Sequence, residues 1–359
     1  MTDPVAGADL HSVINLTGFE ALARERMLAP AFDYVAGGAW DEITLAESVD
    51  AWRRYRFVPR VLRDLRSIDV SGAFLGRSST LPVAVAPMAA QALAHPGAEA
   101  ELLAGAAAAG IPYCLSTTSS QSLEEVAAAA PGAERWFQLY VVGDMAYSRT
   151  LVERAEAAGY RALVLTVDLP VLGRRERDHR SGFELPALPH LDAAGAARAA
   201  RYGNLEDQRA QGLTWASLPE IRSWTSMPLV VKGILSPDDA RLAVETGVDA
   251  IVVSNHGGRQ LDRAIATADA LPAVVEAVAG ACEVWVDGGI RRGLDVVTAL
   301  ALGATGVLVG RPMYWALAVG GRAGVERGIA LLRRELELAL PLLGCASLAE
   351  VRRELLVGA

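Results

Sequence analysis

The 359-residue sequence predicts an α/β fold, a (β/α)8 TIM barrel with an N-terminal helical extension and a long loop after strand 4. Three observations predict it. From about residue 80, short apolar β-branched runs alternate eight times with Ala-rich amphipathic segments, most connections are short, and polar residues gather where the runs end. A continuous apolar run of about four to eight residues reads as a strand buried on both faces, and regular strand–helix alternation reads as a parallel sheet. Eight such units close into a barrel. A doubly wound open sheet is the alternative, though it rarely needs eight.

The expected strands are 82–87, 112–116, 135–140, 161–167, 228–232, 249–254, 283–287 and 305–310. The expected helices are 97–109, 122–130, 145–158, 217–224, 236–246, 268–279, 292–302 and 312–340. Ala158-Gly159 and Thr246-Gly247 read as helix ends feeding the next strand. The whole of 1–359 is expected to form one domain, with residues 1–75 as the extension; Asp33 to Ala39 ends one of its helices at a Gly-rich turn. Residues 170–215 read as a mobile active-site loop, poorly ordered around 186–210, because so long a connection inside a compact domain is usually a lid or disordered.

Composition narrows the function classes. Hydrophobic residues make up 52% and aromatic ones 6%, which suits packed helices and strands. A net charge of −8 argues against a nucleic-acid partner, so an anionic substrate must be drawn by local arginines. Cys114, Cys282 and Cys345 form no CxxC pair and fit neither a disulfide framework nor a zinc site; no metal is expected. No basic-then-apolar leader and no membrane-length apolar run stands out. The reading is a cytoplasmic protein with no membrane partner.

The strand ends carry groups that packing does not explain. Ala86 to Ala89 follow strand 1, Ser116-Thr117 strand 2, Gln138 to Tyr140 strand 3 and Thr166 to Asp168 strand 4. Lys232 ends strand 5. Strand 6 runs into Ser254-Asn255-His256-Gly257-Gly258-Arg259-Gln260-Leu261-Asp262, strand 7 into Asp287-Gly288-Gly289-Ile290-Arg291, and strand 8 into Gly310-Arg311-Pro312. All converge on the rim where α/β barrels keep their active sites. His256 can exchange a proton near neutral pH, and Arg259 can hold a carboxylate with two parallel hydrogen bonds. Glycines, helix N-termini and Arg291 and Arg311 after strands 7 and 8 match a phosphate site. Lys232 is placed either to stabilise negative charge on a bound ring or to pair with a rim carboxylate.

These residues carry a family resemblance. The chain resembles the FMN-dependent 2-hydroxy-acid oxidases and dehydrogenases, the group of glycolate oxidase, lactate oxidase and mandelate dehydrogenase. Phe32-Asp33-Tyr34, Ala94-His95-Pro96, Phe137 to Tyr140, Leu165 to Asp168, Leu172 to Glu176, Val231-Lys232-Gly233, the nonapeptide around His256 and the two glycine motifs carry it along nearly the whole chain. The resemblance implies FMN as cofactor, a small-molecule 2-hydroxy acid as substrate, O2 or another electron acceptor, and a homotetramer. It implies His256 as general base, oriented by Asp168, whether it takes the hydroxyl or the α-carbon proton. Arg259 and Tyr34 would bind the substrate carboxylate, Tyr140 the hydroxyl, with Arg175 adding positive potential and Arg174 pointing to solvent. Lys232 would face the flavin N1–O2 edge. Ala86, Ala89, Ser116, Gln138, Thr166 and Ser254 would line the isoalloxazine; Asp287, Gly289, Arg291, Gly310 and Arg311 would hold the ribityl phosphate end.

Two departures bear on substrate size. Met88 stands where glycolate oxidase has Thr, and Thr118 where it has a Trp that closes over a small substrate. The smaller Thr118 leaves room for a larger substituent and tilts the reading toward mandelate-like acids over lactate or glycolate. Ala89, where some dehydrogenases of the family carry Gly, tilts it toward O2. Another FMN barrel would share Asp287-Gly288-Gly289 without needing His256, Arg259, Tyr34 and Tyr140 together. A non-catalytic FMN- or phosphate-binding barrel would have no need of a base with an orienting Asp.

Overall fold

Eight buried apolar runs become eight parallel strands: β1 (Val83–Val85), β2 (Tyr113–Ser116), β3 (Arg135–Leu139), β4 (Leu163–Thr166), β5 (Leu229–Ile234), β6 (Ala250–Val253), β7 (Glu283–Val286) and β8 (Gly306–Val309). The computed structural model describes residues 10–141, 145–192 and 212–358. Each strand pairs with the next in sequence, and β8 closes the barrel on β1 through Val307 opposite Val83. Most strands stop a residue or two short of the expected ends, because groups such as Tyr140 and Asp287 leave the ladder for the barrel mouth. Strand β5 instead runs on to Ile234 through an irregularity between Lys232 and Ile234.

Strand alternation sorts the side chains. On β1, Val83 and Val85 face the surrounding helices while Ala84 points into the barrel. Ala84, Ala162 and Ala250 leave room inside for Trp136 and Trp285, which stack at 4.8 Å between centroids. Phe74 meets both rings edge-on, at 5.4 and 5.2 Å. It comes from a hairpin, Gly72–Phe74 with Arg77–Ser79, and plugs the end of the barrel opposite the mouth, against Gly306 at the start of β8.

The segment before the barrel is helical only as far as Arg54. It comprises α1 (Gly18–Arg26), α2 (Ala29–Ala36), α3 (Ile43–Asp50) and a short 3-10 turn. Pro59 and the turn at Gly76 then favour extended chain, and Arg56–Phe57 pair antiparallel with Leu356–Val357. The last helix, Arg311–Leu343, starts one residue before and ends three after the expected bounds, with non-helical backbone at Gly320 and Gly321.

Of the stretch expected to be poorly ordered around 186–210, the structure describes residues 186–192. Pro189–Asp192 form a helical turn, and Leu188, His190 and Leu191 are buried. His190 Nε2 accepts from the Leu123 amide at 3.0 Å, and the Tyr147 hydroxyl donates to its carbonyl oxygen, tying the turn to the barrel. Residues 193–210 lie outside the described residues. Among the described residues no helix is long and apolar enough to cross a membrane.

Candidate active site

The carboxyl ends of the strands surround a cleft with about 1270 Å³ of empty space, part of it open to solvent. Ala86, Ala89, Ser116, Thr166, Lys232, Asp287, Gly289, Arg291, Gly310 and Arg311 line it, together with Tyr34, Tyr140, Arg175, His256 and Arg259. Three of the expected site residues stand behind that wall. Asp168 backs His256, Gln138 backs Ser116, and Ser254 backs Lys232.

His256 sits just past β6 with φ +57, a left-handed backbone that non-glycine residues rarely adopt and that clusters at functional sites. Its amide donates to Ser254 Oγ at 3.1 Å. The ring is held from both sides: Nδ1 lies 2.9 Å from Asp168 Oδ1, and Nε2 lies 3.3 Å from the Tyr140 hydroxyl. Burial pushes the imidazole below its usual pKa; Asp168 opposes this, while Lys232 and Arg175 add to it. Neutral His256 with Nδ1–H donated to Asp168 leaves Nε2 as the basic nitrogen, beside Tyr140. Burial raises the Asp168 carboxyl, but His256 and Lys232 more than offset it, so the group stays ionised. Burial also drives the Tyr140 phenol up to about 12.

Lys232 is buried, with Nζ 2.9 Å from Asp287 Oδ2 and donating to Ser254 Oγ at 2.8 Å. Burial alone would lower its pKa; Asp287 and Asp168 reverse this and hold the ammonium charged. Of the two readings of Lys232, the pairing with a rim carboxylate is present, and the residue also faces the cleft. Asp287, expected at the ribityl end, is that counter-ion.

Arg259 donates through Nη1 to the Tyr34 and Gly37 carbonyls at 2.6 and 2.9 Å, with its guanidinium 4.9 Å from the Tyr34 ring centroid. Arg311 donates to the carbonyls of Val35, Gly257 and Gly37, each within 2.9 Å. The two arginines therefore grip the C-terminal end of α2, where the helix dipole favours positive charge. This is how Tyr34, remote in sequence, reaches the cleft, where it stacks on Phe183 at 4.7 Å. Arg174 is exposed beside Glu176, as expected.

Sequence reasoning missed Tyr314 and the leucines of the loop. Tyr314 lines the cleft and donates to the Ala90 carbonyl at 2.7 Å; its place one turn into the helix that Arg311 opens was the available signal. Leu172, Leu185 and Leu191 also line the cleft; Leu172 opens a motif already noted, and nothing in the local pattern of the other two marked them.

The residues fit a flavin mononucleotide. Among the described residues, buried Gln138 Nε2 and Asp287 Oδ1 have no hydrogen-bond partner, as expected of a mouth that receives a polar ring system. Burial, then the charges of Arg259 and Arg291, disfavours the charge on Arg311, so an anionic group such as a phosphate would be favoured beside it.

A barrel with a base–carboxylate dyad, a buried lysine and clustered arginines at its mouth is equipped for proton transfer on a bound anion, which defines it as an enzyme scaffold. The sequence matches the FMN-dependent dehydrogenase family over residues 23–358. It is 49% identical over 358 residues to an L-lactate oxidase from Nostoc, covering 95% of this chain and 97% of that protein. It is 46% identical to a 4-hydroxymandelate oxidase from Amycolatopsis orientalis, over 95% and 97% of the two chains. Among solved structures, mandelate oxidase with (S)-4-hydroxymandelic acid superposes with a TM-score of 0.91 at 45% identity, over 97% of this chain and 99% of that one. The chain belongs to the FMN-dependent 2-hydroxy-acid oxidase and dehydrogenase family and is an oxidoreductase with FMN as cofactor.

Proposed function

We propose that the enzyme oxidises a bulky (S)-2-hydroxy acid of the mandelate kind to its 2-oxo acid, with O2 reduced to H2O2. The observation that carries the substrate size is Thr118. It lines the cleft, its hydroxyl is held 2.8 Å from Ser116 Oγ, and Met88, Leu172, Leu185 and Leu191 give the same cleft apolar lining. The mandelate oxidase and 4-hydroxymandelate oxidase relatives support the same reading. The L-lactate oxidase relative favours lactate as the second reading.

In this reading Arg259 and Tyr34 hold the substrate carboxylate, and Arg175 adds positive potential. His256 Nε2 takes a substrate proton while Asp168 stabilises the resulting imidazolium, and Tyr140 hydrogen-bonds the substrate hydroxyl. When bound, FMN takes up the two electrons released at the α-carbon and passes them to the acceptor. Ala86, Ala89, Ser116 and Thr166 would border the ring, with Gln138 and Ser254 supporting them from behind, and Lys232 would supply a fixed positive charge beside it. Asp287, Gly289, Arg291, Gly310 and Arg311 form the ribityl phosphate end. One domain spanning 1–359, a cytoplasmic location and a homotetramer complete the reading; the three free cysteines agree with a reducing compartment.

An anaerobic flavin-reduction series over glycolate, lactate, mandelate and 4-hydroxymandelate, followed by admission of air, tests both parts. Fastest bleaching by the aromatic acids and rapid reoxidation are expected. Preference for glycolate overturns the substrate reading, and slow reoxidation in air overturns the acceptor.

A further inference from the structure

Gln260 lies four residues beyond His256 in the β6 loop, nearly buried, with its amide turned away from the cleft. Nε2 donates to the Asp168 carbonyl at 3.1 Å and to the Val171 carbonyl at 2.8 Å, and Oε1 accepts from the Gly173 amide at 3.1 Å. One side chain thus satisfies three backbone groups in the first turn of the loop that carries both Asp168 and Arg175. The two loops are pressed together there: a Cβ on Gly173 would lie 2.4 Å from the Arg259 carbonyl oxygen and 2.7 Å from the Gln260 Cα. The α2–α3 link joins the same junction, with Trp40 N donating to the Arg174 carbonyl and Ala39 N to the Gly258 carbonyl.

We propose that Gln260 is a positioning residue that sets the Asp168 carboxylate against His256 Nδ1 by fixing the backbone of the β4 loop to the β6 loop. The dyad joins residues 88 apart in sequence on different strands, so its 2.9 Å contact depends on how the two loops are held. A carboxylate must stay in line with Nδ1–H both to fix the tautomer and to stabilise the imidazolium. Asp168 contributes one oxygen to this contact and its backbone carbonyl to Gln260, so the same residue is clamped at both ends. Small misplacements of such groups cost roughly 10- to 100-fold in rate.

This inference rests on the proposed role of the dyad, and the test separates the two. Holoenzymes carrying Gln260→Met, Gln260→Glu, Asp168→Asn and the Gln260→Met/Asp168→Asn pair are compared by anaerobic flavin reduction across pH. Gln260→Met removes all three hydrogen bonds at similar size, while Gln260→Glu keeps only the acceptor for Gly173. Both are expected to retain FMN, reduce roughly 10- to 100-fold more slowly, and leave substrate affinity within about threefold. In Gln260→Met the acid limb moves to lower pH, because a loosened Asp168 no longer raises the His256 pKa. In the Asp168→Asn background the Gln260→Met effect should vanish, since the group it positions is gone. Wild-type reduction in both Gln260 variants, or effects that multiply in the double variant, overturns the inference while leaving the dyad standing. Fast reduction by Asp168→Asn overturns the dyad reading itself, and this inference with it.

Discussion

Gly233 and Asp168 touch so closely that a Cβ on Gly233 would lie 2.6 Å from the Asp168 Cβ and 2.8 Å from its carboxyl carbon. Gly233 has φ +116 and interrupts the β5 ladder right after Lys232, so Asp168 fits over β5 only because this residue has no side chain. Gly233→Ala should lose about 1–3 kcal/mol of stability from backbone strain alone. It should also slow flavin reduction at least about tenfold by displacing Asp168. Thermal unfolding of the holoenzyme and stopped-flow reduction check the two effects; an alanine variant with native stability and rate contradicts the geometry.

His256→Ala should still bind FMN, because the imidazole contacts protein partners through both nitrogens and the cofactor fit rests on other residues. Its reduction by substrate should fall roughly 10²- to 10⁴-fold, the usual contribution of a positioned base. Absorbance of the purified variant and its single-turnover reduction rate decide this. Rapid bleaching would remove His256 from the role.

The pH dependence follows from the direction of the His256 shift. Burial lowers its pKa, and a base works in its neutral form, so the active form persists to lower pH than an exposed histidine would allow. Reduction should therefore stay level from about pH 8 down to roughly 6.5, the ordinary histidine value, and fall only below it. An inflection above about pH 7 would mean that the imidazole is stabilised in its charged form.

Arg259 has two tasks, and its replacement should show both. Arg259→Met is expected to weaken binding of the hydroxy acid by roughly 10- to 100-fold through loss of a charge-assisted pair worth about 1.5–3 kcal/mol. It also strips the Tyr34 and Gly37 carbonyls of a donor, so stability should drop by roughly 1–3 kcal/mol. Substrate titration monitored by the flavin and thermal unfolding report the two losses separately. Unchanged affinity would take Arg259 out of carboxylate binding.

Thr118→Trp should fill the space that favours a large substituent. The ratio of reduction rates for mandelate over glycolate should fall at least about tenfold, within the range set by steric changes in a pocket. A ratio that does not move would assign substrate size to the apolar lining of Leu172, Leu185 and Leu191 instead.

The barrel was legible because each strand is a short continuous apolar run, buried along its length, and Ala-rich helical segments alternate with these runs. Those signals are local. The dyad was legible through the nonapeptide and Asp168, whose residue types sit at strand ends. The grip of Arg259 and Arg311 on the end of α2 was not, because backbone carbonyls carry no residue identity. The plug formed by Phe74 against the stacked Trp136 and Trp285 was hidden for a similar reason, since its partners are separated by about 60 to 210 residues.

By itself, the sequence determined the barrel and the residue types at the mouth through local patterning, while the resemblance carried by its short motifs gave the family and, with it, the cofactor. The tertiary structure alone decided that Lys232 is paired with Asp287, that α2 delivers Tyr34 to the cleft, and that Pro189–Asp192 pack down beside it. These depend on which loops meet across the barrel mouth, and loop contacts are set by hydrogen bonds to backbone groups that any sequence presents.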